Sequence, residues 1–247
     1  MYENLDVKIR EAQGVSDVNS VEQVHNILRY NYYKLYAEIE GKEHTIGHIL
    51  FLKGKIFVVP KHFLALIKRA VDYDSDTKLF CRSGLLKKSF CCFARDVVSS
   101  CVPYESPKAV KAGDETRDLM YGIFPTAICH RNIVSYFSPK RDLEYTRNVA
   151  MVLPLLSESL VKGEIFPVVN LKYTQGVSVI RRETIHVPDD DEKLMRCVRD
   201  VWEYTLDTTK GDCGAPIVLR NALVQGKIIG IHIAGQPKNG IGNASLS

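Results

Sequence analysis

Apolar residues recur at helical spacing near the start of the chain. In SVEQVHNILRYNYYKL, Val21, Val24, Ile27 and Leu28 fall on one face after a possible Ser20 cap, which predicts an N-terminal helix. Beyond it the pattern shortens to β-rich runs. YKLYAEI, TIGHILFL and KIFVV are separated by GK-type turns. HFLALIKRA predicts one or two helical turns, and TKLFC, KSFCCFA, DLMYGIF and NIVSYF return to strand character. SPKRDLEYTR, residues 138–147, is polar and predicts a linker. Strands then resume in NVAMVLPL, EIFPVVNL, GVSVIRRETIHV, MRCVRDVWEYTL, APIVLR and GKIIGIHI.

Many short strands with frequent turns and no internal repeat predict an all-β protein of two barrels. The expected units are a helical extension over 1–30, a barrel over 31–138, a linker over 139–147 and a second barrel over 148–247.

Composition narrows the function classes. The chain has 247 residues, 45% hydrophobic and 25% charged, enough for a substantial core. A net charge of +4 permits contact with a polyanion without demanding it. No apolar run is long enough to span a bilayer, so no membrane partner is expected. The opening MYENLDVKIREAQ is polar and does not read as a secretory signal. The cysteines number seven, Cys81, Cys91, Cys92, Cys101, Cys129, Cys197 and Cys213. An odd count without a CxxC pair predicts a reducing, cytosolic setting with neither a disulfide framework nor a metal, and no cofactor. SFCCFA and VVSSCV read as cysteines used as small buried apolar groups.

Cys213 is different. In GDCGAP, residues 211–216, it stands between glycines that allow a sharp turn and close backbone approach. Such a turn can present a thiol while its N–H groups point at a reacting carbonyl. A thiol nucleophile needs a base and a group that orients the base. Of seven histidines, His62 lies where the apolar strand of KIFVVPKHFLAL gives way to a helical turn. His44 and His48 flank a strand, where they are expected to face solvent or a neighbour. RDLMYGIFP supplies Asp118 at the start of an apolar strand, with Asp114 and Glu115 as competitors one turn upstream.

These segments together resemble the 3C-like cysteine proteases, the chymotrypsin-fold processing proteases of picornavirus-like positive-strand RNA viruses. Gly-Asp-Cys-Gly-Ala-Pro is similar to the nucleophile turn of the calicivirus and dicistrovirus members. IGIHIAG followed by GIGNASL resembles the family's Gly-x-His element and closing strand. RDLMYGIFP resembles the segment that carries the third catalytic residue. CHRNIVSYF resembles the Phe-Arg-Asp-Ile segment, with His130 and Asn132 replacing the aromatic and the aspartate. The resemblance covers roughly residues 30 to 246.

It implies two chymotrypsin-like six-stranded barrels, the first carrying His62 and Asp118 and the second Cys213. Cys213 would be the nucleophile, His62 the base and Asp118 its orienting acid. Gly211, Asp212 and Cys213 would supply oxyanion-hole N–H groups, with the Asp212 side chain turned away. Thr208, or Thr209 as the alternative, and His232 would line a pocket for the residue before the cut, favouring Gln over Glu.

The strand around Gly240 to Ala244 would pair with substrate, and Arg181 and Arg182 would lie on a ribbon over the cleft. The implied partner is a viral polyprotein in the host cytoplasm. Arg131 would offer viral RNA a phosphate contact. The alternative is an RNA-binding or scaffold module whose catalytic site is vestigial.

Overall fold

A computed structural model describes residues 26, 28–83, 88–104, 117–138, 150–161, 164–174, 180–188, 195–206, 208–220, 228–236 and 241–246. Two antiparallel sheets of seven strands each make up most of it. The mostly-β class follows the sequence pattern, although each sheet has one strand more than the six expected.

The first sheet contains β1 (Tyr32–Ile39), β2 (Lys42–Lys53), β3 (Ile56–Val59), β4 (Lys78–Ser83), β5 (Lys88–Phe93), β6 (Val102–Pro103) and β7 (Met120–Ile123). Its order is β5-β4-β1-β2-β3-β7-β6. The second contains β8 (Ala150–Val161), β9 (Glu164–Thr174), β10 (Ile180–Pro188), β11 (Met195–Thr205), β12 (Pro216–Arg220), β13 (Ile228–Gln236) and β14 (Ile241–Leu246). Its order is β10-β11-β14-β13-β12-β8-β9.

Helix α1 (His62–Tyr73) starts where Pro60 ends β3, since proline has no N–H to extend a ladder. It is longer than the one or two turns expected. Phe63, Ile67 and Ala70, spaced for one helical face, are buried against the first sheet. The Thr77 hydroxyl donates to the Ala70 carbonyl and closes its last turn. A second helix, α2 (Ala94–Ser100), occupies ARDVVSS, which the apolar pattern did not reveal.

NIVSYF departs from its strand expectation. Val134–Tyr136 form a 3-10 turn, because the Asn132 side-chain oxygen accepts the Val134 N–H and bends the chain. Of the expected N-terminal helix, Asn26 and Leu28 are described, and both are helical. The linker over 139–147, Asp114, Glu115 and the side chain of Arg181 lie outside the described residues.

Two clusters explain how the halves meet. The first is internal to the first half, with Phe51, Phe57, Phe63, Leu79, Met120 and Phe124 at its centre. The second is shared. It joins Leu28, Tyr32, Leu50, Val58, Leu119 and Ile133 to Trp202, Tyr204, Ala215, Ile217 and Ile231 of the second half. Burying a large apolar side chain contributes about 2 kcal/mol, so this shared core fixes one sheet against the other.

Candidate active site

Register explains the first half of the site. Val59 pairs with Met120 in the β3–β7 ladder, so the chain just beyond that pair sets residues 61 and 118 side by side. The Lys61 N–H donates to the Asp118 carbonyl, 3.3 Å. The Asp118 carboxylate then does two things. Oδ1 accepts the His62 backbone N–H at the start of α1, 3.0 Å, and Oδ2 lies 2.7 Å from His62 Nδ1. A carboxylate at a helix N-terminus is favoured by the aligned peptide dipoles. The same group therefore caps the helix and orients the ring of its first residue. Asp118 is 4% exposed and His62 13%, so the pair is shielded but the ring stays reachable.

The second half contributes a turn. Gly211 and Gly214 both have left-handed backbone angles, φ 96° and 88°, and they bracket Cys213. The Asp212 carboxylate turns back into the turn, where Oδ2 accepts the Thr209 N–H at 2.7 Å and the Thr209 hydroxyl at 3.1 Å. These bonds engage the Asp212 side chain within its own turn. The Asp212 backbone departs from expectation. The Asp212 N–H donates to the Thr209 carbonyl, 3.1 Å, which closes the turn instead of pointing at a reacting carbonyl. The N–H groups of Gly211 and Cys213 are the candidates that remain for the oxyanion.

The turn is pressed against the first sheet. The His48 N–H of β2 donates to the Cys213 carbonyl, 2.8 Å. A methyl group on Gly214 would lie 2.0 Å from the His48 carbonyl oxygen. One on Gly47 would lie 2.5 Å from Phe63 Cζ and 2.6 Å from the Cys213 carbonyl oxygen. Phe63 of the first turn of α1 and the carbonyl of Cys213 thus both pack at Gly47. Cys213 packs against the first half's core, and its thiol donates to the Ile233 carbonyl, 3.3 Å.

The other cysteines differ in setting. Cys92 is buried, as expected; Cys81 is buried too, and Cys101, expected to be buried, is half-buried. Burial pushes the Cys81 thiol up, the Cys92 thiol to about 12 and the Cys101 thiol to about 11. These three remain thiols at neutral pH and are poor nucleophiles. Cys91, which the sequence pattern buried with Cys92, is instead exposed on the opposite face of β5, because neighbours in a strand alternate faces.

His232 on β13 is 1% exposed and is tied to the cysteine turn by main-chain bonds. Its N–H donates to the Ala215 carbonyl and its carbonyl accepts the Gly214 N–H, both 2.8 Å. Its Nδ1 is hydrogen-bonded to the Tyr204 hydroxyl of β11. Burial, with the nearby Cys213 and Asp212 charges adding to it, raises the Tyr204 phenol. That hydroxyl stays protonated and so is able to donate to Nδ1, a pairing that places the ring proton on Nε2. Thr208 is buried, while Thr209 is exposed and engaged by Asp212.

Arg182 is exposed and paired with Glu203 of the neighbouring strand, 3.0 Å. Arg131 lies at the far end of the first sheet. His130 next to it bridges to Gly54 of the β2–β3 turn and stacks on Phe51 at 4.0 Å. Arg131 is exposed and donates to the Asn26 carbonyl, 2.6 Å.

Tyr204 and His48 are site residues that sequence reasoning missed or undervalued. Tyr204 reads as one apolar position among many in a strand. His48 was expected to face solvent or a neighbour, and it is buried against the cysteine turn. Among the described residues no cluster of His, Cys, Asp and Glu could hold a metal ion, and no helix is long and apolar enough to cross a membrane.

The profile of the 3C cysteine proteases (picornain 3C) matches residues 144–237, the stretch that includes Cys213 and His232. The replicase polyprotein of acute bee paralysis virus is 29% identical over 76% of the chain, which spans 9% of that polyprotein. That of cricket paralysis virus is 27% identical over 92% of the chain, spanning 14% of the polyprotein. The chain thus corresponds to a small fraction of the relatives it matches. In three dimensions it resembles the tobacco etch virus protease solved with product, with a TM-score of 0.51 and 15% identity. That match covers 90% of this chain and 75% of the other, and it shows a shared fold.

Proposed function

We propose, from the premise that this chain is a 3C-type cysteine peptidase, that it processes a viral polyprotein with Cys213, His62 and Asp118. The observation that carries the proposal is the Asp118–His62 pair, 2.7 Å, at the start of a helix whose Phe63 packs at Gly47 beside the Cys213 carbonyl. Asp118 keeps the proton of the neutral imidazole on Nδ1, so Nε2 can take the thiol proton. The thiolate then attacks the scissile carbonyl. The oxyanion forms against the N–H groups of Gly211 and Cys213, and His62 returns the proton to the leaving amine. Each oxyanion donor of this kind contributes about 3 kcal/mol to the transition state.

The residue before the cut is Gln, with Glu a poorer substrate. The Tyr204 hydroxyl on Nδ1 supports this, because it leaves the His232 Nε2 proton to meet a side-chain carbonyl. Thr208 is the second donor, since the Thr209 hydroxyl serves the Asp212 turn. A pocket built from buried donors rejects side chains that leave them unpaired. The strand expected to pair with substrate is corrected by the topology: β14 is already paired on both sides, with β11 and β13, and has no free edge to offer. The host cytoplasm, where such a polyprotein is made, is the setting. For viral RNA, Arg131 is exposed and gives one of its five N–H donors to Asn26, and the proposal stops at the polyprotein.

The test is Cys213→Ala against a peptide with Gln before the scissile bond. Turnover should vanish with the thermal midpoint unchanged. Turnover that persists in the folded variant removes Cys213 from the mechanism.

A further inference from the structure

The carbonyl of Cys213 is held by two donors from a single residue of the other half. The His48 backbone N–H reaches it at 2.8 Å, and the His48 ring Nδ1 lies 3.3 Å from the same oxygen. A carbonyl can only accept, so the ring proton lies on Nδ1. The ring itself has little freedom. His48 is 1% exposed and stacks on Tyr32, centroids 5.3 Å apart and planes within 17°. Tyr32 is anchored in turn, its hydroxyl donating to the Pro154 carbonyl of β8, 2.7 Å. The phenol is raised by burial and by the Asp212 charge, so it stays a donor. Backbone contact at Gly214, where a methyl group would meet the His48 carbonyl at 2.0 Å, leaves the turn no room to slide.

We infer that His48 is a positioning residue for the peptidase reaction, its imidazole clamping the Cys213 carbonyl so that the turn's N–H groups stay aimed at the oxyanion. The inference rests on the proposed peptidase function and adds a residue to it. The physical reason is that the Cys213 carbonyl and N–H lie in two planar peptide units joined at one Cα, so fixing the first unit restricts the φ and ψ that orient the second. Holding the Cys213 carbonyl on the first-half side limits rotation about the Cys213 backbone, and that rotation would tilt the Cys213 N–H away from the oxyanion. The backbone donor alone fixes one point. The ring donor adds a second direction, and two donors resist tilt better than one. The ring reaches across 165 residues of sequence, so the clamp exists only when both halves are docked.

The test compares His48→Phe, which keeps a ring over Tyr32 but has no donor, with His48→Asn, which places an N–H where Nδ1 stood. Three readouts are taken on folded protein: kcat and KM on the Gln peptide, the alkylation rate of Cys213 by iodoacetamide, and the thermal midpoint. Alkylation forms no oxyanion and reports the thiol alone. His48→Phe should lower kcat about tenfold with KM and alkylation within twofold of wild type, and His48→Asn should restore most of kcat. Wild-type kcat in His48→Phe overturns the inference. So does an equal fall in kcat and alkylation, or His48→Asn no better than His48→Phe. If His48→Phe does not fold, His48→Leu against His48→Asn carries the same comparison. Absence of cleavage by the wild-type chain would instead count against the peptidase function, which separates the two failures.

Discussion

The two halves hold their chemistry in different ways. In the first, His62 and Asp118 lie next to strands that are paired to each other, and the two contacts between them are local to one sheet. The core below is aromatic. Tyr33, Phe51, Phe57, Phe90, Phe124 and His130 meet edge to face or stacked. In the second half Cys213 sits on a turn between strands, and its carbonyl is held by the other sheet. The described core there is largely aliphatic, with Ile217, Val218, Leu219, Ile228, Ile229 and Ile231. The His62–Asp118 pair is thus preset within one unit, whereas the Cys213 turn is held by the docking of two. Damage to the first should be chemical and confined, and damage to the second should spread to the interface.

The largest effect is expected at Gly214→Ala. The position needs a left-handed backbone angle, and the added methyl would meet main chain that cannot rotate away. Loss of about 3 kcal/mol or more in unfolding free energy is expected, with activity falling in parallel. A chemical-denaturation midpoint equal to wild type would show that the turn is not pressed against β2.

Asp118→Asn should instead lower kcat by roughly 10²-fold, because the amide can present its N–H to Nδ1 and stabilise the wrong tautomer. The helix cap oxygen is retained, so stability should fall by no more than about 1 kcal/mol. Steady-state kinetics with calorimetry separates the two, and a large stability loss with unchanged kcat would make Asp118 structural.

Tyr204→Phe is milder still. It removes the hydroxyl that fixes the His232 ring while keeping the bulk. The preference for Gln over Glu should narrow about tenfold in a competition between peptides differing only there. Unchanged selectivity would detach Tyr204 from the pocket.

The smallest effect lies furthest from the site. Burial lowers the pKa of His130 below its usual 6.5. The native state therefore binds fewer protons than the unfolded chain once pH drops below 6.5, and stability falls until pH reaches the lowered native value. The thermal midpoint should decline by a few degrees over that window, and His130→Phe should flatten the decline. An unchanged decline in the variant would assign it to other groups.

How much of this was written in the chain differs from residue to residue. The strands were legible because alternation has a period of two that needs no tertiary partner. NIVSYF misled because a single side-chain bond from Asn132 outweighed the apolar alternation. The α2 helix was hidden because seven residues give too few turns for a helical period to show. Cys213 and His62 were legible because their neighbours are unusual, glycines on one side and a strand-to-helix junction on the other. Among Asp114, Glu115 and Asp118, spacing could not choose, and the β3–β7 register set Asp118 against His62.

By itself the sequence determined the β class and singled out the Cys213 turn and His62 as candidates. Tertiary structure alone decided that Asp212 closes its own turn, that Tyr204 orients His232 and that His48 grips the cysteine's carbonyl. A hydrogen bond is defined by its partner, and these partners arrive from distant strands only when two apolar cores have packed.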